Sequence, residues 1–297
     1  LKVIDIHINS KDNPLHGHGV GDTILMLAVI KGVANVNPGA LVRAVVLEGR
    51  EQWALLGWPD VVTVDKDLKA KEPLYNELYP QRHESLGGDQ KAIDRGLTRQ
   101  ALWAAEVGVK AVQPVPRIPA EARAWAAGMQ TKLFGDKPVV WISPWACARE
   151  RTWPLRRWAE LADGLIAEGY AVAGIHTAKE LFLDGVTWFE ASAFPADRTA
   201  AMFELAKLVI GNDSGMVHLA GFLGVRTLAI CGPTQGWVIF GDYPSVCVVD
   251  SWLRCAGCLG LTSDYNPRWC RLECEALHDI SAGRVLLTAK RILNAAS

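Results

Sequence analysis

Two stretches of this chain repeat one local order, and that order limits the fold more than any other feature: a short β-branched run, a loop rich in small or polar residues, then an apolar helical period. Val3-Ile4-Asp5-Ile6-His7-Ile8 leads through the glycine-bearing loop 16–21 into a helical pattern over residues 22–36. Residues 41–47 predict a second strand, 50–56 a short helix and 61–64 a third strand. Strands alternating with helices build a parallel sheet, because each crossover must return the chain to the same end of the sheet. Residues 65–85 are polar, carry scattered aromatics and have no period, and are expected as a substrate-facing loop region. Leu97, Ala101, Leu102 and Ala105 lie at spacings of three and four, so residues 90–107 predict helix.

Pro114, Pro116 and Pro119 then disfavour regular structure. They place the expected boundary between a domain of residues 1–117 and one of residues 118–297, in keeping with about 150 residues per domain. After a helix over 120–133 the alternation restarts with strand 139–142, helix 154–168, strand 171–175, helix 199–206, strand 208–210, helix 215–223 and strand 226–230. Residues 281–293 close the chain as a helix with Ser281 as N-cap. The expected class is α/β, with a doubly wound second half.

Lys+Arg 31 against Asp+Glu 32 leaves a net charge of -1, so no global field recruits nucleic acid or an anionic membrane, and any anion site must be local. The longest uninterrupted apolar run, residues 24–30, is far short of the ~18 residues of a spanning helix. Residues 1–8 lack the basic start and long apolar centre of a secretory leader. A reducing cytoplasm is the expected home, and there clustered cysteines read as a metal site or as reduced thiols before disulfides.

Three loops carry candidate chemistry. Gly211-Asn212-Asp213-Ser214-Gly215-Met216-Val217-His218-Leu219-Ala220 follows an apolar strand and opens a helix. Unpaired N–H groups at a helix start, beside a small Ser-Gly pair, suit a phosphate, and ligands of open α/β sheets bind at the carboxyl ends of strands. A capping role for Asp213 or Ser214 explains one polar residue there but not Asp, Ser and His together. The loop 143–154 carries Arg149 and Arg151, whose guanidinium groups match phosphate in bidentate fashion at another helix start. A solvated basic loop is the competing reading. The third loop, His16-Gly17-His18-Gly19-Val20-Gly21-Asp22, lacks the full dinucleotide fingerprint. Asp22 is either a helix cap or a general base for an attacking hydroxyl, and His16 and His18 compete for the second role.

Taken together, Gly-x-Gly-Asp after the first strand, Arg151-x-Trp153-Pro154 opening a helix, and Asp213-Ser214-Gly215-x-x-His218-Leu219-Ala220 followed by Cys231-Gly232-Pro233-Thr234 resemble the heptosyltransferases of glycosyltransferase family 9. The resemblance covers most of the chain and is weakest between Lys66 and Ala120. It implies the GT-B architecture, two Rossmann-like domains facing each other across a crevice, with the acceptor on residues 1–117 and a nucleotide-sugar donor on residues 118–297. It also implies an inverting transfer, expected to move heptose from ADP-heptose to a saccharide such as lipopolysaccharide core, without a divalent metal.

By motif, Asp22 matches the family's base, with His18, Gly19 and Gly21 as the acceptor-side glycine loop. Arg149, Arg151, Ser214, Gly215, Met216 and His218 are implied at the donor diphosphate, Asp213 at sugar hydroxyls, and Thr177 and Glu180 at the nucleoside. Alternatives kept open are a protein O-heptosyltransferase of the autotransporter-modifying type and a nucleotide-sugar-binding protein or epimerase of the same layout. The expected partners are the donor and a saccharide or protein acceptor, with at most peripheral attachment at the inner membrane and an oligomer left open.

Four of the seven cysteines fall in residues 252–275 as Cys255-x-x-Cys258 and Cys270-x-x-x-Cys274. Four thiolates so spaced can hold structural zinc or iron. Reduced thiols are the other reading: the resemblance brings cysteines in this segment without a metal requirement, and a related subgroup with a cysteine-held iron that builds an oligomer.

Overall fold

The computed structural model describes residues 2–7, 20–47, 49–64, 88–146, 149–176, 183–190, 194–258 and 274–295. The first half contains β1 (Val3–His7), α1 (Val20–Val36), β2 (Leu41–Leu47), α2 (Glu51–Leu55), β3 (Val61–Val64), α3 (Gly88–Asp94) and α4 (Arg99–Glu106). Its three strands form a parallel sheet in the order β1-β2-β3, with Val3 opposite Leu41 and Ala44 opposite Val61. The expected helix over 90–107 is two helices. Gly96 turns the chain at a φ of 62°, a conformation that favours glycine, and Thr98 then caps α4 by accepting a hydrogen bond from the Ala101 N–H at 3.1 Å. Residues 109–119 have no regular structure and are tied to the first half where Val112 N–H donates to Ala28 O and Arg117 N–H to Leu56 O.

The second half contains α5 (Ala120–Phe134), β4 (Val139–Ser143), α6 (Leu155–Ala167), β5 (Ala171–His176), β6 (Val186–Glu190), α7 (Ala196–Glu204), β7 (Leu208–Asn212), α8 (Gly215–Phe222), β8 (Thr227–Cys231), α9 (Gly236–Phe240), β9 (Val246–Asp250), α10 (Glu275–Asp279) and α11 (Ala282–Asn294). All six strands are parallel in the order β6-β5-β4-β7-β8-β9. β4, β7 and β8 are buried at every residue, whereas the outer strands β6 and β9 are mostly half-buried. Successive side chains of β4 enter different cores: Val139 and Trp141 join one apolar cluster, Val140 and Ile142 the other. Burial on both faces is why central strands of a doubly wound sheet read as continuous apolar runs.

Two strands, β6 and β9, and the short helices α9 and α10 were not expected from sequence. Ser281 does cap α11, accepting from the Arg284 N–H at 3.2 Å. The halves meet along α1 and α8. Leu27 of α1 and Phe222 of α8 both crowd Gly57, where an added Cβ would lie 2.6 Å from one and 3.1 Å from the other. Among the described residues, no helix is long and apolar enough to cross a membrane.

Candidate functional site

In the six-stranded sheet the order reverses between β4 and β7, whose ends are level: Ser143 lies opposite Gly211. The helices that follow pack on opposite faces, Trp158 and Leu161 of α6 in one apolar cluster and Val217 and Leu219 of α8 in the other, and such a reversal point is the usual ligand position in these sheets. The loop after β4 carries Arg149 and Arg151 in a single 3-10 turn, and the loop after β7 carries Asp213 and Ser214 into α8. Asn212, fully buried, ties them together: its Nδ2 donates to Pro144 O at 2.6 Å, and its Oδ1 accepts from the Trp153 N–H at 3.1 Å. Trp153 locks the far side, with Nε1 donating to Ile280 O at 2.9 Å and its ring edge-on to Trp158 at 5.1 Å.

On this frame Arg151 Nη1 donates to Asp213 Oδ2 at 3.2 Å, with only 18% and 6% of the two side chains exposed. Burial by itself would raise the Asp213 pKa, but the charge of Arg151, followed by that of His218 once it is protonated at low pH and that of Arg99, outweighs it. The carboxyl is held below the ordinary range and is ionised at neutral pH. Arg149, at the other end of the turn, is exposed.

α8 starts against α1. A methyl on Gly215 would lie 2.7 Å from Val20 Cβ, and one on Gly21 would lie 2.6 Å from His218 Cδ2, so glycine at both positions lets the two helix starts touch. Asp22, half-buried in the first turn of α1, is therefore brought beside His218, which feels its charge. The His218 ring also packs on Phe240, with ring centres 4.7 Å apart. Burial is the main cause that lowers the His218 pKa to about 4, against the opposing charges of Asp213 and Asp22. The imidazole is thus neutral at pH 7, and its 3.9 Å approach to Asp213 is no ion pair.

Ser214 sits at the N-cap of α8 without a side-chain capping bond, so capping does not account for it. Its Oγ, His218 Nδ1 and Trp145 Nε1 are buried without a hydrogen-bond partner. Buried polar atoms normally have partners, so these three are available to a polar ligand. The first N–H groups of α8, at Gly215 and Met216, stand at the same place, while the Met216 side chain packs into the apolar core.

A neutral buried histidine has a stability signature. The unfolded chain takes up a proton near pH 6.5 and the folded chain only near pH 4, so this group's contribution is complete above pH 6.5 and is lost as pH falls toward 4. Wild type should lose on the order of 3 kcal/mol over that window from His218, and His218→Gln should lack this component. Urea unfolding at both ends of the window reads the difference; equal pH dependence in the two proteins would refute it.

Sequence reasoning missed Asn212 as the brace and Arg99 as a charge that reaches the Asp213–His218 pair. An amide ending an apolar strand was the available sign for the first; the second has none in its local sequence. His18, Gly19, Thr177, Glu180 and Cys270 lie outside the described residues. Cys258 and Cys274 are buried and Cys255 is half-buried. Among the described residues, no group of three or more His, Cys, Asp or Glu side chains is arranged to hold a metal ion, and the fourth cysteine of the expected set, Cys270, lies outside them.

The sequence profile of glycosyltransferase family 9 (heptosyltransferase) matches residues 69–180 and 197–259, more than half of the chain. Lipooligosaccharide heptosyltransferase 2 of Haemophilus influenzae is 31% identical over 122 residues, 36% of this chain and 34% of that enzyme, so the chain matches about a third of this relative's length. The solved ADP-heptose heptosyltransferase II of Escherichia coli superposes with a TM-score of 0.68 at 16% identity over 99% of this chain and 98% of that one. An E. coli heptosyltransferase solved with ADP gives 0.59 at 16% identity over 98% and 100%. At such identities the superpositions establish the fold, which is GT-B, and the profile establishes kinship: this chain belongs to glycosyltransferase family 9, the heptosyltransferase family.

Proposed function

We propose that the protein transfers heptose from ADP-heptose to a saccharide acceptor of the lipopolysaccharide-core type, by a single displacement that inverts the anomeric carbon. The observation that carries this reading is the meeting of the two helix starts. Asp22, from the half assigned to the acceptor, stands beside a donor loop where Arg151, the start of α8 and unpartnered Ser214 Oγ converge. That an E. coli heptosyltransferase of the same fold was solved with ADP supports the choice of nucleotide.

In this mechanism Asp22 takes the proton of the acceptor hydroxyl as its oxygen attacks the anomeric carbon. The bond to the diphosphate breaks, and the leaving group gains negative charge. Arg151 and the N–H groups at the start of α8 stabilise that charge without reorganising, since Asn212 already fixes both loops. Asp213, kept ionised, accepts hydrogen bonds from the sugar hydroxyls. The cysteine segment is given no step in the transfer, and residues 1–117 and 118–297 are assigned as acceptor and donor domains.

A thermal-shift panel of ADP, GDP, UDP and dTDP sugars tests the reading. ADP-heptose at a hundred times its Kd should add about 2.7 kcal/mol of stability, the other bases should add little, and the product linkage should be inverted by NMR. No shift with any nucleotide sugar would overturn it.

A further inference from the structure

The start of α1 rests on one face of α8. Residues 215 and 218 lie three apart on that helix and so share a face, and both meet the first residues of α1. At Gly215 the backbones close up: a Cβ there would lie 2.7 Å from Val20 Cβ and 3.1 Å from the Gly21 nitrogen. At His218 the approach stops. A Cβ on Gly21 would lie 2.6 Å from His218 Cδ2 and 3.2 Å from its Nε2, so no side chain fits between the Gly21 backbone and the edge of the imidazole. One glycine lets the two helix starts meet, and one turn later a ring limits how closely.

The ring is firmly held. It is 4% exposed, packs on Phe240 with centres 4.7 Å apart and stands edge-on to Tyr243 at 6.0 Å, and both of those side chains are buried as well. Close packing of this kind resists displacement. The edge that meets Gly21 also carries Nε2, 3.9 Å from Asp213 Oδ1. A single imidazole therefore fills the gap between Asp213, on the donor side, and the residue that precedes Asp22, on the acceptor side. Held neutral by burial, it does so without an ion pair to either carboxyl group.

We propose that His218 is a positioning residue for Asp22: its imidazole is the spacer that sets how far the start of α1 stands from Asp213, and with it how far Asp22 stands from a sugar held at the start of α8. His218 then acts through Gly21 and makes no contact with the diphosphate. This rests on the proposed function in taking Asp22 as the base. A reacting group misplaced by about 1 Å can lose roughly a hundredfold in rate. The spacer therefore matters to the transfer and not to the nucleotide, which Arg151 and the start of α8 hold from one half alone.

Turnover of ADP-heptose with deacylated lipopolysaccharide core, and calorimetry of ADP, for wild type, Gly21→Ala, His218→Ala and the double variant of the full chain, form the test. The methyl of Gly21→Ala must push the helix starts apart by about 1 Å to reach ordinary contact near ~3.5 Å. Its kcat should fall on the order of a hundredfold, while the Kd for ADP stays that of wild type. His218→Ala should also lower kcat at unchanged ADP affinity. In the double variant the methyl enters the space that the ring has left, so turnover should exceed that of Gly21→Ala. If Gly21→Ala does not fold, His218→Gln beside His218→Ala gives the same comparison, since glutamine refills the gap and should keep kcat closer to wild type. A loss of ADP affinity in His218→Ala would make the histidine a diphosphate ligand and overturn the proposal. Wild-type kcat in both single variants, losses that simply multiply in the double one, or equal kcat for glutamine and alanine would overturn it too. Absence of transfer by wild type would instead overturn the proposed function itself.

Discussion

Asp22→Asn should lower kcat by roughly 10²- to 10⁴-fold, the usual weight of a general base, while ADP affinity stays near that of wild type. The substitution keeps the shape and hydrogen-bonding reach of the side chain but removes its ability to take a proton. Asp22 stands in the first turn of a helix whose following residues, Thr23 to Ile30, are all buried, so the backbone that presents residue 22 is held by the core and not by the carboxylate. The variant should therefore fold with α1 in place, its helix start still touching His218 through Gly21. Steady-state turnover together with calorimetry of ADP binding separates chemistry from affinity. Turnover close to wild type would remove Asp22 from the reaction.

The second large effect concerns the pair that bridges the loops after β4 and β7. Arg151→Ala leaves the Asp213 carboxylate, on a side chain only 6% exposed, without its main cation. Breaking a buried pair in this way costs about 3–5 kcal/mol. The pair is mostly buried, so little of that is lost to solvent screening. Part of the penalty is relieved as the Asp213 carboxyl rises toward protonation, which it does once Arg151 no longer offsets its burial.

Because the pair holds the Asp213 pKa below its unfolded value, its contribution in wild type is present above that unfolded value and is lost as pH falls through the lower folded one. That window lies below the one assigned to His218, so the two losses separate on a pH scale. Arg151→Ala should also lose ADP affinity. The double variant Arg151→Met with Asp213→Leu tests which effect is which: it should regain much of the stability, since an apolar pair of similar size avoids burying charge, yet it should not regain ADP binding. Recovery of binding in the double variant would show that Arg151 acts only as Asp213's structural partner.

Most of the central sheet could be read from the chain because its strands are buried on both faces and must be apolar throughout. Val139 to Ile142 and Leu208 to Ile210 carry that pattern without interruption. The outer strand β6, Val186-Thr187-Trp188-Phe189-Glu190, mixes polar with apolar residues because it is covered less, and its period was lost. The division between α3 and α4 was missed for another reason. Gly96 and Thr98 are a stop and a start within three residues, and apolar spacing continues across them since both helices cover the same core.

For the site, the chain determined which residues stand at the ends of strands and the starts of helices, because those boundaries are set by local backbone chemistry. Arg151, Asp213, Ser214 and Asp22 were legible on that ground. What joins them was not. Arg151 and Asp213 are 62 residues apart, and they meet because β4 and β7 are neighbours across the point where the strand order reverses. Gly21 and Gly215 belong to different halves, and only the contact of α1 with α8 shows why neither position has room for a side chain. Arg99 is the extreme case: its sequence neighbours announce a helix start and nothing more, yet in the folded chain its charge reaches the Asp213–His218 pair. Local sequence determined the parts and their chemistry; tertiary packing decided which charges share one dry space, because burial and proximity are properties of the assembled fold alone.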